Sequence, residues 1–493
     1  MSATATRQRA GSKPVRWRRI GVIDVGSNSI RLVVYDVRGR AMQPRFNEKV
    51  LAGLGRGLNS SGKLNRDGID LAVAALSRFA SITRAQNVDA LLPFATAAVR
   101  EASDGPAFCQ RVKKETGIDL RVLSGDDEAR FAAEGVLAGT PGVEGVAGDL
   151  GGSSLELARL VAGRYESGAT YPLGPLALDT GGSFNADKVT SRIKDVLAKS
   201  QELKKTDTFY AVGGAWRSIG TMHMELTRAP LHMLQNYEMD SPDLLNLLNE
   251  LMTGKKHNDL VQEVAKRRAA TIPYAAAVLK VIIEQAKVLT VMVSSYGVRE
   301  GIIFDGLDAA ERLEDPLDAG LDALVPDDQA AEFGRALADW ASEAAPYTLS
   351  PRLASAACRL VEIGALLHPD HRADLAFDLV ARAPLPGLSH KDRAALALAV
   401  ASRFKRGVRS DVSDRLLDAE TASEARALGA LMRLAADFSG RSAELLSHSK
   451  LTCDGAVLGL KVAAKYRALV SESVERRLQQ AATELGMDYS LAS

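Results

Sequence analysis

Two short loops of glycine and small polar residues each follow an aspartate that ends an apolar stretch. The first runs from Asp24 to Ser29 and the second from Asp149 to Ser154. Glycine lets backbone N–H groups turn toward an anion, and hydroxyl and amide side chains add donors. We therefore predict two phosphate-binding loops, whose binding residues are Gly26, Ser27, Asn28, Ser29, Gly151, Gly152, Ser153 and Ser154.

The two loops belong to one internal repeat. The stretch GVIDVGSNSIRL from residue 21 recurs in pattern as VAGDLGGSSLEL from residue 146, with aspartate, glycine and serine at the same spacing. An ordinary hairpin turn is the alternative for either loop alone, but repetition favours a phosphate cradle. Neither loop is a Walker A motif, because no GK[ST] follows. The separation is far longer than a solenoid repeat, so we predict two similar domains with a cleft between them.

The second copy differs from the first by carrying an additional acid. Glu156 stands where the first copy has Arg31, so Asp149 and Glu156 both flank the second loop. Two carboxylates beside a bound phosphate need a counter-cation, and Mg²⁺ suits a site with few carboxylates, water and phosphate oxygens. We predict a Mg²⁺ site, with Mn²⁺ as the alternative metal, held by Asp149, Glu156 and Asp24. A solvated strand position is the alternative role of Glu156.

An acidic residue near the start of a helix is the candidate general base. Ser124 and Asp127 have the spacing of a capping box, so Glu128 falls in the first turn of a helix that ends near Leu137. A carboxylate there can orient and deprotonate an attacking water. A surface acid that stabilises the helix dipole is the alternative, and Asp126 and Asp127 are competing candidates.

Two further positions have residues suited to phosphate. Arg100 lies just after the predicted strand at 90–95, where ligands of α/β proteins bind, and its guanidinium can clamp a phosphate. A surface ion pair is the alternative. Gly213 and Gly214 follow another apolar strand and allow the backbone to approach a second phosphate, with a structural turn as the alternative.

The elements that must position these residues are α/β in type. Residues 20–37 are predicted to form a β-hairpin, residues 66–83 a helix and residues 90–95 a strand. Beyond residue 310 helical patterns dominate, at 328–344, 352–366, 391–404 and 420–436. We predict a disordered basic tail at 1–19, domains at 20–138 and 139–310, a return of 300–310 to the first domain, and a helical domain at 311–493.

Composition limits the class of protein. The 493 residues are 46% hydrophobic and 25% charged, which is typical of a large globular protein. Six of the 62 Lys and Arg residues lie in the first 19 positions, so acidic residues outnumber basic ones in the rest. That balance argues against a nucleic-acid partner. No apolar run of transmembrane length is present, and the three distant cysteines suggest reduced thiols, so we predict a cytoplasmic protein.

Six motifs in order carry a resemblance to a known family. They are DVGSNSIRLVV at 24–34, ATAAVREA at 95–102, LSGDDEAR at 123–130, DLGGSSLE at 149–156, AVGGAWR at 211–217 and SSYGVREGI at 294–302. Together they resemble the exopolyphosphatase and guanosine pentaphosphate phosphohydrolase (Ppx/GppA) family, a branch of the sugar kinase, chaperone and actin superfamily. The resemblance spans about residues 20–310.

The resemblance implies a fold and a set of roles. It implies duplicated ribonuclease H-like (actin-like ATPase) domains, an all-α HD-like C-terminal domain and a homodimer. It assigns catalysis to Glu128 as base, phosphate binding to Arg100, and the metal to Asp149 and Glu156. Ser153 departs from the glycine of many relatives, which narrows the second loop.

The C-terminal part carries weaker signals. His368, His371 and His390 fall there, but no His-Asp dipeptide occurs in the sequence, so we predict no second metal phosphohydrolase site. A basic run there, at Arg403, Lys405, Arg406 and Arg409, is either a solvated face or a guide for a polyanion.

The predicted function is metal-dependent removal of terminal phosphate from inorganic polyphosphate, with release of orthophosphate. The nearest alternative is the same chemistry on guanosine pentaphosphate (pppGpp). A non-catalytic polyphosphate or nucleotide sensor is a second alternative, and a kinase that uses ADP is a third.

Overall fold

The computed structural model describes residues 17–140, 142–254, 256–342 and 349–492. Within these described residues the chain forms two compact units, one of residues up to 128 together with 302–314, and the other of residues 129–301 together with 315 onward. Residues 1–16 of the predicted tail at 1–19 lie outside the described residues. Arg18 and Arg19 belong to the first strand, so the predicted tail extends too far.

The first unit is built on a five-stranded sheet of order β3-β2-β1-β4-β5. Its strands are β1 Arg18–Val25, β2 Ile30–Arg38, β3 Ala41–Val50, β4 Ala90–Ala95 and β5 Arg121–Val122. Its helices are α1 Leu58–Ser61, α2 Arg66–Ala85, α3 Ala97–Glu101 and α4 Gly105–Thr116. β1 and β2 are rich in β-branched residues that are buried in the sheet's core, and they form the predicted hairpin.

The second unit begins with a six-stranded sheet of order β10-β11-β9-β6-β7-β8. Its strands are β6 Gly145–Leu150, β7 Leu155–Val161, β8 Arg164–Tyr171, β9 Thr208–Val212, β10 Tyr237–Asp240 and β11 Thr290–Val293. In each sheet a three-stranded antiparallel meander is continued by a strand parallel to the first one. The shared order supports the duplication that the internal repeat predicts.

A series of helices lies between the first unit's α4 and the C-terminal region along the chain. They are α5 Gly125–Gly139, α6 Pro175–Leu178, α7 Ala186–Leu197, α8 Gly214–Thr227, α9 Ser241–Thr253, α10 Asn258–Ala265, a 3₁₀ helix Lys266–Thr271, α11 Ile272–Ala286, α12 Val298–Asp305 and α13 Ala309–Leu313. The stretch from Asn258 to Ala286 is, within the described part of the chain, the one helix that by length and composition could cross a membrane. Of its apolar window 61% is buried inside the fold, which is the environment of a core helix.

The C-terminal region is predominantly helical, as predicted. Its helices are α14 Pro316–Leu321, α15 Asp328–Ser342, α16 Pro351–Arg359, α17 Arg372–Ala381, α18 His390–Ser402, α19 Asp411–Leu416, α20 Ala419–Ser439, α21 Ala443–Leu446, a 3₁₀ helix Ala464–Leu469 and α22 Glu472–Glu484. The all-α prediction is incomplete, because β12 Ser449–Asp454, β13 Val457–Val462 and β14 Asp488–Ala492 form a small sheet. Leu458, Leu460 and Val462 on β13 are buried against the helical core, which packs this sheet onto the helices.

One predicted helix is shorter than expected. The segment predicted at 352–366 is α-helical only to Arg359, after which the chain continues in tight turns whose N–H groups bond to the carbonyl three residues back. At Gly364 a side chain would meet the ring of Phe404 at 2.8 Å, so the turns bring the backbone close to that ring. Close packing therefore overrides the helical periodicity of the sequence.

Candidate phosphate-binding and active-site residues

The two predicted phosphate loops have the same backbone geometry. In the first, the Gly26 N–H donates to the Ser29 carbonyl at 3.0 Å, and in the second the Gly151 N–H donates to the Ser154 carbonyl at 2.9 Å. Each loop joins two antiparallel strands, β1 to β2 and β6 to β7. The sequence repeat is thus matched by a repeat in hydrogen bonding, with one copy of the loop in each unit.

Each loop is also anchored through its two central carbonyl groups. The Ser27 and Asn28 carbonyls accept from the N–H groups of Gly55 and Gly53, at 2.8 and 3.0 Å. In the second loop the Gly152 and Ser153 carbonyls accept in the same way from residues 176 and 174, at 2.8 and 3.1 Å. With their carbonyls tied back into the protein, the loops are held in one conformation.

Gly174 was not predicted from the sequence, yet it supports the second loop. A Cβ atom at Gly174 would lie 2.3 Å from the Ser153 carbonyl carbon and 2.5 Å from the Gly152 carbonyl oxygen. Only glycine lets the backbone approach this closely. The equivalent bond in the first unit, to the Asn28 carbonyl, also comes from a glycine, Gly53, and this shared glycine is the signal that could have identified Gly174.

The two acids of the second unit face each other across neighbouring strands. Asp149 on β6 is paired in register with Glu156 on β7, so their side chains lie on the same face of the sheet. Glu156 is buried, with 4% of its surface exposed. Like charges directly opposite each other are destabilising, and a bound cation relieves that repulsion.

The donor set therefore fits a metal that takes few protein ligands. Among the residues that the structure describes, no group of three His, Cys, Asp or Glu side chains is close enough to hold an ion. Asp24, the third predicted ligand, is paired in register with Arg31 on the neighbouring strand. Mg²⁺ commonly uses one or two carboxylates and completes its shell with water and phosphate oxygens, so Asp149 and Glu156 are the residues that fit it.

Gly213 and Gly214 lie where β9 ends and α8 begins, next to the Asp149 carboxylate. Gly213 has a φ of 104°, and a Cβ there would lie 3.0 Å from the Asp149 Oδ1 atom. β9 is parallel to β6, which brings the first N–H groups of α8 to the edge of the sheet that carries the second loop. A helix N-terminus of this length attracts anions, as the predicted phosphate role requires.

Three arginines of the second unit surround this place and were not predicted as site residues. A Cβ atom at Gly214 would lie 2.6 Å from the Arg268 Nη2 atom, so this guanidinium covers the start of α8. Burial lowers the pKa of Arg217, the nearby Arg299 and Arg268 lower it further, and Asp149 and Glu300 act in the opposite direction. Positive charge is therefore concentrated around Asp149 and the N-terminus of α8. Only tertiary packing assembles it.

In the first unit the predicted base and the predicted phosphate-binding arginine contact each other. The Arg100 Nη1 atom donates to the Glu128 carboxylate and, at 2.8 Å, to the Leu123 carbonyl. The Glu128 side chain is 7% exposed and that of Arg100 23% exposed. The exposed Glu101 carboxylate lies 4.0 Å from the same guanidinium. The structure thus joins the two residues, and Arg100 keeps donors for a further anion.

The acids beside Glu128 have other functions in the structure. The Asp127 N–H donates to the Ser124 Oγ atom at 3.0 Å, which forms the predicted cap of α5, and the Asp127 carboxylate lies 3.2 Å from Arg121. Asp126 is exposed. Glu128 is the one buried acid of the three.

The basic run of the C-terminal region is largely paired with acids. Arg403 contacts Glu362 at 2.8 Å and Arg406 contacts Glu484 at 2.9 Å. Arg409 lies 3.2 Å from Asp414. As a continuous guide for a polyanion the run is therefore not supported. His390 is largely buried, and burial and Arg393 lower its pKa to about 4.

Comparison with known proteins gives the family context. A family model described as "Ppx/GppA phosphatase family" matches residues 33–310, and one described as "Exopolyphosphatase, C-terminal" matches residues 331–492. The chain is 30% identical over 306 residues to Exopolyphosphatase 1 of Mycobacterium leprae. The alignment covers 59% of this chain and 90% of that protein.

Two further matches differ in extent. Exopolyphosphatase 1 of Mycobacterium bovis is 37% identical over 159 residues, 32% of this chain and 46% of that protein, so this alignment spans less than half of that relative. The crystal structure of a Ppx/GppA family member from Aquifex aeolicus superposes with a TM-score of 0.54 at 20% identity, covering 61% of this chain and 100% of that one. At this identity the likeness establishes the fold of the two α/β halves alone.

Proposed function

The chain belongs to the Ppx/GppA phosphatase family, and from this premise we propose that it is an exopolyphosphatase. In this proposal it hydrolyses the terminal phosphoanhydride bond of inorganic polyphosphate and releases orthophosphate. The observation that carries the proposal is the buried Glu128 carboxylate held by Arg100 at the start of α5. A buried acid beside a phosphate-binding group is what in-line hydrolysis without a covalent intermediate needs.

Phosphate binding is assigned to the groups that the loops present. Residues 26–29 and 151–154, together with Gly213, Gly214 and Arg100, are assigned to phosphate oxygens in this proposal. Within the loops the Gly26 and Gly151 N–H groups close the turns, so the donors are the N–H groups and side chains of the residues that follow them. The cationic surroundings of α8 support it, because an arginine over a helix N-terminus is favourable only with an anion nearby. Arg268 and Arg217 are added to the predicted set.

The proposed hydrolytic step uses Glu128 as the general base. Water donates a proton to the Glu128 carboxylate as its oxygen attacks the terminal phosphorus. The bond from that phosphorus to the bridging oxygen breaks, and the shortened chain leaves with the electron pair and the negative charge. Arg100 exchanges its contact with Glu128 for a contact with the transferring phosphoryl group, where it stabilises developing charge.

A divalent cation, which we propose to be Mg²⁺, is assigned to Asp149 and Glu156. When bound, such an ion shields phosphate charge and polarises the phosphoryl oxygens. The protein's own contribution is to hold two carboxylates in register on one face of a sheet, next to the second loop. Mn²⁺ is the alternative ion, and Asp24 stays a predicted ligand.

Phosphate release from polyphosphate in the presence of Mg²⁺ tests the proposal, with wild type compared with Glu128→Gln. We expect the substitution to lower kcat by about 10² to 10⁴, the usual contribution of a positioned base. Glu101→Gln is the matched control, since Glu101 is exposed and only 4.0 Å from the same guanidinium, and its rate should equal that of wild type. A full rate in Glu128→Gln removes the base assignment, and no release by wild type removes the exopolyphosphatase proposal.

The alternatives are separated by substrate. Turnover of pppGpp in preference to long polyphosphate would make guanosine pentaphosphate the substrate, with the same residues in the same roles. Binding of either compound without phosphate release would favour a sensor, and ADP-dependent turnover would indicate a kinase. The pair Asp149 and Glu156, of which Glu156 is buried, favours hydrolysis over sensing, because anion binding alone gains nothing from carboxylates. A cytoplasmic homodimer is part of the proposal, and sedimentation of the full chain gives the oligomer's mass.

A further inference from the structure

A second concentration of arginines lies in the C-terminal region, in a pocket that the proposed reaction does not use. The pocket is open to solvent and lies where the end of α18 and the middle and end of α22 meet the middle of α20. Four of its lining residues are arginines and one is an acid, namely Arg406, Arg426, Arg433, Arg477 and Glu484. The pocket therefore carries a clear excess of positive charge.

Three of these arginines have contacts within the protein. Arg406 bonds to Glu484 at 2.9 Å, and Arg477 bonds to Asp437 at 2.8 Å. Arg426 makes only weak contacts of 3.4 Å, to the Val408 carbonyl. The acids near the pocket are thus already engaged by two of the four arginines.

Arg433 is the arginine without such a contact. In the part of the chain that the structure describes, no hydrogen bond or ion pair involves its guanidinium, although the side chain is half-buried. Burial lowers the pKa of Arg433, and so do the neighbouring Arg477 and Arg403, while Asp437 acts in the opposite direction. A half-buried cation beside other cations is costly unless an anion joins it.

A buried hydroxyl group in the same pocket also has no partner. Ser402 is 6% exposed and lines the pocket, and its Oγ atom makes no hydrogen bond within the described structure. Serines in helices usually donate to the carbonyl four residues back, as Ser439 does to Ala435 at 2.8 Å. Buried polar groups are normally satisfied, so this buried hydroxyl of a residue in the wall of a cationic pocket indicates a missing acceptor.

We propose that this pocket, formed by Ser402, Arg426, Arg433 and Arg477, binds a phosphate group. Arginine guanidinium groups form strong, paired hydrogen bonds to phosphate oxygens, and the serine hydroxyl adds a neutral donor. The ligand is either free orthophosphate, the product of the proposed reaction, or a phosphate unit of a polyphosphate chain. The site is separate from the residues assigned to hydrolysis and goes beyond the proposed function.

Hydrogen–deuterium exchange of the full chain tests this proposal without turnover, in buffer that contains EDTA. Orthophosphate and tripolyphosphate are the two probes, and the peptides of interest span 402–409 and 472–484, which carry the two ends of the pocket. We expect at least one probe to slow exchange in both peptides of wild type. Protection by orthophosphate identifies free phosphate as ligand, and protection by tripolyphosphate alone identifies a chain unit.

Arg433→Met removes the charge and keeps the apolar stem of the side chain. We expect it to lower the affinity for the protecting probe roughly 10- to 100-fold, the range for hydrogen bonds to charged groups. Arg476→Met is the matched control, because Arg476 is exposed on α22 and does not line the pocket. Equal protection in Arg433→Met and wild type overturns the proposal, as does absence of protection in wild type. The absence of protection in wild type overturns the proposal even if Arg433→Met fails to fold. Since neither measurement involves hydrolysis, failure here leaves the exopolyphosphatase proposal to its own test.

Discussion

Substitution of Glu156 by glutamine tests whether Asp149 and Glu156 bind a metal ion or are simply two like charges that the fold tolerates. Asp149 and Glu156 are in register on neighbouring strands, and Glu156 is 4% exposed. Glu156→Gln keeps the size of the side chain and removes one of the two facing charges. The pair therefore predicts effects of opposite sign with and without Mg²⁺.

The magnitudes follow from general values for such contacts. Without metal, removal of a like charge across a strand pair should raise the free energy of unfolding by about 0.2 to 1 kcal/mol. With Mg²⁺ at 100 times its Kd, wild type should gain about 2.7 kcal/mol. If loss of one carboxylate weakens binding about 100-fold, the same concentration stabilises the variant by only about 0.4 kcal/mol. The variant is then the more stable protein in EDTA and the less stable one in Mg²⁺.

Urea unfolding in EDTA and in Mg²⁺ measures both effects. Trp216 is 1% exposed, packs edge-on against Phe209 in the second sheet, and reports by fluorescence on the unit that holds the two acids. Glu166→Gln is the control, because Glu166 lies on β8 of the same sheet with 55% of its side chain exposed. An equal Mg²⁺-dependent gain in Glu156→Gln and wild type would refute the assignment of the metal to this pair.

Three other substitutions probe the second unit. Arg268→Met should lower kcat/KM for polyphosphate roughly tenfold or more by removing a charged donor above the start of α8, as measured by initial rates. Gly301→Ala should lower the free energy of unfolding by about 1 to 3 kcal/mol or more, because its Cβ would lie 1.8 Å from the Phe131 carbonyl oxygen. Burial lowers the pKa of His390 from 6.5 to about 4, so His390 binds a proton more readily in the unfolded chain. Its contribution to stability is therefore present above pH 6.5 and lost at about 1.4 kcal/mol per pH unit as the pH falls toward 4, and denaturant titrations should show a smaller loss in His390→Gln.

Matched controls exist for each of the three. Arg267 is the exposed neighbour of Arg268, and Arg267→Met should leave kcat/KM unchanged. A Cβ atom at Gly306 would make only ordinary contacts, at 3.4 Å and beyond, so Gly306→Ala should be tolerated. His371 is exposed, and His371→Gln should keep the pH dependence of wild type. If a test variant and its control give the same kcat/KM, free energy of unfolding or pH dependence, the role assigned to the corresponding residue is wrong.

Local signals in the sequence were sufficient for the loops and for the cap of α5. Glycine and small polar residues between two apolar strands define a hairpin turn, and its bonds join residues only three positions apart, such as Gly26 and Ser29. The Ser124 cap acts over the same short range. Such features depend on neighbouring residues, so the sequence predicts them without knowledge of the fold.

Contacts between distant segments were not predictable in the same way. Arg403 and Arg406 look like part of a free basic run, but their partners Glu362 and Glu484 lie 41 and 78 positions away. Arg268 comes from a 3₁₀ helix far along the chain from Gly214, which it covers. Charge in a sequence therefore indicates where cations are, while the fold decides which of them are neutralised.

The contact between Arg100 and Glu128 bears on how the proposed base is controlled. Without substrate, the guanidinium neutralises a carboxylate that is almost fully buried, which offsets the cost of burying its charge. A phosphate group is a second anionic partner for the same guanidinium, whose Nη1 atom also donates to the Leu123 carbonyl. In the proposed reaction, arrival of the substrate thus draws Arg100 toward the phosphate, and the Glu128 carboxylate accepts a proton from water. One arginine then links phosphate binding to activation of the base, because the same guanidinium contacts the carboxylate before the substrate arrives and the phosphoryl group afterwards.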